Sequence, residues 1–112
     1  MAAAALACAA CAGPERPLLE RFFSASRLRD RTALGQISTT IFEPRERGIV
    51  RRFDILKVVA RGGNPAREEV TIAAPVALPD GRTVQQTLEV VLERDASGRW
   101  LVTAVNASGY RP

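Results

Sequence analysis

Apolar residues near the start of the chain recur at helical spacing. Leu18, Leu19, Phe22, Phe23 and Ser26 share one side, and Glu20, Arg21, Arg27 and Arg29 fill the other. The spacing predicts an amphipathic helix over residues 14–28. Gly13-Pro14-Glu15-Arg16-Pro17 opens it, since first-turn N–H groups have no intrahelical partner for a proline to remove. Asp30 then caps a second, shorter helix with Leu34, Ile37 and Ile41 as its apolar stripe. Gly35 weakens that helix, and β-branched Thr39-Thr40 with Phe42-Glu43-Pro44 ends it.

From Gly48 the pattern changes to strand. Residues 49–59 are rich in β-branched and aromatic side chains, and Gly62-Gly63-Asn64-Pro65 closes the run with a loop. Val70, Ile72, Ala74, Val76 and Leu78 alternate with Thr71, Ala73, Pro75 and Ala77. Pro75 cannot donate to a ladder and marks an edge or a bulge. After the turn Pro79-Asp80-Gly81-Arg82, Val84, Gln86, Leu88, Val90 and Leu92 form the inward phase of a third strand. Asp95-Ala96-Ser97-Gly98-Arg99 turns into a last strand at residues 100–105, followed by a polar stretch. Helices first and hairpin-linked strands after predict an α+β fold with an antiparallel sheet of about four strands. The helix pair is expected to pack on one face of that sheet.

The organisation read from this is a leader at 1–13, one domain at 14–107 and a polar tail at 108–112. The leader holds both cysteines, Cys8 and Cys11, in an alanine run with no charge before Glu15. Leu6-Ala7-Cys8 has the small residue before cysteine that a bacterial lipoprotein signal requires, so Cys8 and Cys11 are lipidation candidates. The expected location is the cell envelope, lipid-anchored and facing the periplasm. An alanine-rich start to a cytoplasmic protein is the alternative. No basic n-region precedes the apolar stretch, so a lipoprotein reading carries the expectation of an n-region upstream of Met1. Redox work by the Cys-x-x-Cys pair is not favoured, because such pairs sit at a strand-to-helix junction. Two cysteines without a histidine cannot complete a four-ligand zinc site, and no metal or cofactor is expected.

Net charge is +4, and every basic residue but Lys57 is arginine. Acids and bases alternate, as in Arg29-Asp30-Arg31 and Glu43-Pro44-Arg45-Glu46-Arg47, which argues for a solvated mixed surface rather than a nucleic-acid platform. The densest basic group is Arg45, Arg47, Arg51 and Arg52, placed to meet lipid headgroups if the chain is tethered.

The helix Leu18-Leu19-Glu20-Arg21-Phe22-Phe23-Ser24-Ala25-Ser26, the capped Asp30-Arg31-Thr32-Ala33-Leu34 and the closing Leu92-Glu93-Arg94-Asp95-Ala96-Ser97-Gly98-Arg99-Trp100-Leu101-Val102 together resemble the NTF2-like (cystatin-like α+β roll) superfamily. Small lipoprotein-type members of unassigned function are the nearest in kind. The resemblance implies a curved sheet folded over the first helix around a conical pocket. It spans enzymes, carriers and dimerisation modules, so fold alone does not choose a function.

Three readings follow. The first is a non-enzymatic envelope protein that binds a protein partner or a small apolar ligand, with Phe22, Phe53, Gln86 and Trp100 as pocket-lining candidates. Gln86 is polar in an apolar phase, so it faces either a pocket or water at the rim. The second is an isomerase or dehydratase of the kind the superfamily hosts, which needs an inward base. Asp54 is the one strand candidate, with the solvent face its commoner setting. No catalytic set is recognised. The third, nucleic-acid binding, lacks a stacking platform. Val91, Leu101 and Val105 fall outside the inward phase and suggest a homodimer through the sheet face.

Overall fold

The computed structural model describes residues 15–108, so the leader with Cys8 and Cys11 and the last four residues lie outside it. Helices α1 (Glu15–Leu28) and α2 (Arg31–Ile37) lead to a single helical turn, α3 (Pro44–Arg47). Five strands follow: β1 (Ile49–Val50), β2 (Asp54–Arg61), β3 (Arg67–Ala77), β4 (Thr83–Arg94) and β5 (Trp100–Ser108). All pairings between these strands are antiparallel. β1 and β2 lie end to end along one side of β3, with β4 and then β5 on the other. The fold is α+β: a helix pair followed by a curled antiparallel sheet, a half-barrel.

The amphipathic stripe dictates how α1 docks. Leu18, Leu19, Phe22 and Phe23 join Val70, Ile72, Ala74, Val76, Leu88, Val90, Leu92 and Val102 in one buried core. Leu19, Phe22, Val70, Ile72, Ala74, Val76, Leu88, Val90 and Leu92 have no exposure at all. A void wide enough for a ligand would leave its walls accessible, so the space between helix and sheet is filled by side chains. Phe23 meets Phe22, Phe42 and Phe53 at ring centroid distances of 5.2, 5.4 and 5.9 Å. These rings tie α1 to the segment before α3 and to the start of β2.

Two turns set the helix geometry. Arg29 takes the left-handed conformation (φ 58), and the N–H of Asp30 reaches the Ala25 carbonyl at 2.9 Å, closing α1. The Asp30 carboxylate then accepts the Ala33 N–H at 3.1 Å and starts α2. At the junction of α3 and β1, Gly48 has φ 92, and a Cβ there would stand 2.7 Å from the Ala77 carbonyl oxygen. Only glycine fits.

Several local expectations are corrected. Ile41 is not on the stripe of α2: the helix stops at Ile37, and Ile41 is 71% exposed. The cause is tertiary, since the Thr39 N–H donates to the Val102 carbonyl at 2.9 Å and draws the chain onto β5. The strand expected over 49–59 is split into β1 and β2. Pro75 explains the split, for it lies on the inner strand β3 opposite the interruption at residues 51–53, where no partner requires its missing N–H. Val105 points inward and is 8% exposed, because a register shift inserts Thr103 between partners of β4 and reverses the phase. The last strand also runs on to Ser108.

If the α1 stripe is the keystone, Phe22→Ala leaves a cavity at the centre of the core. The expected loss of unfolding free energy is about 3–5 kcal/mol. Urea denaturation followed by Trp100 fluorescence measures it, and a loss below about 1 kcal/mol would contradict this packing.

Candidate functional site

With the interior filled, open concave space lies at the flanks of α1. A cleft of about 340 Å³ opens between the C-terminal end of α1, helix α2 and the segment joining α2 to α3. Leu34 and Phe42, both buried, supply apolar walls, and exposed Ile41 supplies an apolar edge. Arg29, Arg31 and Glu43 bring charge to it, with Arg29 Nε 4.0 Å from Glu43 Oε1.

The local chemistry that shapes this cleft is simple. The Ser38 hydroxyl donates to the Leu34 carbonyl at 2.8 Å and lies 3.2 Å from the Thr40 carbonyl, so it ends α2 and turns the chain. Glu43 Oε1 accepts the Arg45 N–H at 3.3 Å and starts α3. Ser26, 3% exposed, also borders the cleft, and its hydroxyl has no hydrogen-bond partner among the described residues. Gly35 stands in the middle of α2, where a glycine costs about 1 kcal/mol relative to alanine. A Cβ at Gly35 would meet nothing within 4 Å, so neither packing nor a left-handed backbone requires glycine there. Its absent side chain keeps one wall of the cleft open.

The residues expected to line one pocket are dispersed. Phe22 is fully buried in the core. Phe53 is buried and borders a second, smaller cleft beside the interruption between β1 and β2. Trp100 is half-buried and borders a shallow cleft with Leu18, Gln36 and Arg99. Gln86 is half-buried opposite Ala74 and lines none of these clefts. Asp54 pairs with Ala73 and is exposed, on the face away from the core. The outward sheet face carries Glu69, Glu89 and Glu93 alongside Val91 and Leu101. No group of metal-ligating side chains occurs among the described residues.

One acidic pair was not anticipated. Glu68 continues the inward phase of Val70 and Ile72 and faces Glu15, which is 6% exposed in the first turn of α1. An acidic side chain suits the positive end of a helix. Burial pushes the Glu68 carboxyl up to about 7, helped by a hydrogen bond to Glu15 and by its charge. One Glu68 oxygen is enclosed without a partner. The period-two pattern, extended two residues before Val70, already contained this inward position. The pair borders none of the clefts.

A carboxyl raised from 4.5 to about 7 binds its proton more tightly in the folded state. Its contribution to stability is complete below about 4.5 and is lost as the pH rises to about 7. Glu68→Gln keeps the shape without the charge. It is expected to melt a few degrees above the parent protein at pH 8, with the difference closing near pH 4. A difference independent of pH would contradict the assignment.

Comparison with protein-family models, curated proteins and solved structures found no match to this chain.

Proposed function

We propose that this chain is a non-enzymatic binding protein of the cell envelope, of the NTF2-like kind, that holds a small ligand with an apolar body in the cleft between α1 and α2. The observation that carries the reading is the cleft itself. It is a concavity of about 340 Å³ with apolar surface that the core does not use, beside an interior that is full. Its size lies at the low end of small-molecule sites, about 300–1,000 Å³. At roughly 30 Å³ per water-sized group it holds on the order of eleven heavy atoms. Exposed Ile41 would lose water contact to such a ligand, a gain of about 25 cal/mol per Å² of apolar surface removed from water. The open space beside Gly35, which borders the cleft, favours the same use.

The envelope setting rests on Leu6-Ala7-Cys8 and the alanine-rich leader. A lipid on Cys8 or Cys11 would tether the domain beside the membrane, where amphiphiles are concentrated.

Octan-1-ol is a suitable probe of the cleft because its size matches. An NMR titration is expected to give saturable, sub-millimolar binding with amide shifts at Ser26, Gly35, Thr39 and Ile41. Gly35→Leu fills the open wall while improving helix propensity, so it should abolish binding with stability unchanged or raised. Shifts absent, or unaffected by Gly35→Leu, would remove the cleft as the site. For the anchor, intact mass of the protein recovered from its native cells should show a diacylglyceryl adduct on one cysteine. An unmodified full-length chain in the soluble fraction would contradict it.

A further inference from the structure

A second cleft, of about 160 Å³, lies on another side of α1, and four arginines border it. Arg16 and Arg27 come from α1, and Arg51 and Arg52 from the interruption between β1 and β2. In an unbroken strand, neighbours such as Arg51 and Arg52 would point to opposite faces of the sheet. The interruption opposite Pro75 frees both to line one concavity. The segment is fixed on either side by Val50 and Phe53, 2% and 8% exposed. The Arg16 guanidinium lies over the Phe53 ring, 5.1 Å from its centroid.

The charge is not cancelled locally. Glu20 is the one acidic residue bordering this cleft, and it pairs with Arg16 at 3.9 Å. Arg27, Arg51 and Arg52 have no carboxylate partner among the described residues. Arg45 and Arg47, their neighbours in the sequence, do not border it, and Arg47 stacks instead on Phe42 at 4.8 Å. Like-charged groups gathered round a recess are costly unless an anion sits between them. Guanidinium groups present planar pairs of N–H donors that match the oxygens of a tetrahedral oxyanion. The volume, at roughly 30 Å³ per water-sized group, holds about five heavy atoms, those of one phosphate.

We propose that Arg16, Arg27, Arg51 and Arg52 form a binding site for the phosphate group of a small soluble phosphate or phosphomonoester. The site is separate from the apolar cleft and does not depend on its occupant. Arg51 and Arg52 grip the oxygens from the strand interruption, Arg27 from the helix, and Arg16 closes the side next to Phe53.

The test is an NMR titration with inorganic phosphate at pH 8 and low salt, against sodium chloride at matched ionic strength. Saturable amide shifts at Arg27, Arg51, Arg52 and Phe53 are expected with phosphate and not with chloride. Arg27→Gln, Arg51→Gln and Arg52→Gln should each weaken binding about tenfold, as loss of a hydrogen bond to a charged group does. Arg45→Gln, outside the cleft, should leave it unchanged. Arg45, Arg51 and Arg52 are exposed and Arg27 is half-buried, and an otherwise unshifted spectrum shows that each variant is folded. Equal shifts with chloride, or three variants that bind phosphate as the parent does, would overturn the proposal. So would binding to phosphatidylglycerol vesicles with none to inorganic phosphate, which would make the patch a membrane contact.

Discussion

Leu19 and Phe22 project from α1 into the same core as Val70, Ile72, Val90 and Leu92, and none of the six keeps any exposure. A domain this small has few other places to bury large side chains. The curl of the sheet and the docking of α1 are therefore one event: the helix supplies the surface that the inward face of β3 and β4 requires. The same fit has a functional consequence. A roll of this kind can keep a ligand beneath its helix only by leaving that space unfilled, and here aromatic and branched side chains occupy it. Open concave surface is displaced to the flanks of α1, where the chain passes between elements.

The two flanks are built by different means. On one, Thr39 bonds to Val102 and pulls the chain out of α2, which lifts Ile41 off the helix and opens an apolar cleft. On the other, Pro75 leaves β3 without a donor, the facing strand is interrupted, and two consecutive arginines turn toward α1. In both cases a break in regular structure, rather than a regular element, shapes the concavity. Buried neighbours fix each break: Phe42 beside the first, Val50 and Phe53 beside the second. Phe23 touches both Phe42 and Phe53, so the two flanks share one aromatic support.

Periodicity made α1, the inward phases of β3 and β4 and the helix-then-meander order legible in the sequence. These depend on neighbours three, four or two residues away. Asp80 and Asp95 were likewise readable as turn residues: the Asp80 carboxylate accepts one backbone N–H of its own turn and the Asp95 carboxylate accepts two. What was not legible depends on distant partners. Ile41 fits a helical stripe until the bond to Val102 is known. Val105 looks outward until Thr103 is seen to be an extra residue in the ladder. Phe22, Phe53, Gln86 and Trp100 all have pocket-like chemistry, but the fold sends them to four different surroundings. Neither cleft could be assembled from spacing: the first depends on how the chain folds back after α2, and the second joins α1 to residues 50–53.

On the function proposed, this fold keeps its interior for packing and takes its apolar ligand on the flank beside α2. A crystal structure with 8-bromooctan-1-ol distinguishes flank from interior, since the anomalous signal of bromine marks the end of the alkyl chain. The expected peak lies in the cleft bordered by Leu34, Ile41 and Phe42. A peak between α1 and the sheet, among Phe22, Ile72 and Leu88, would contradict it.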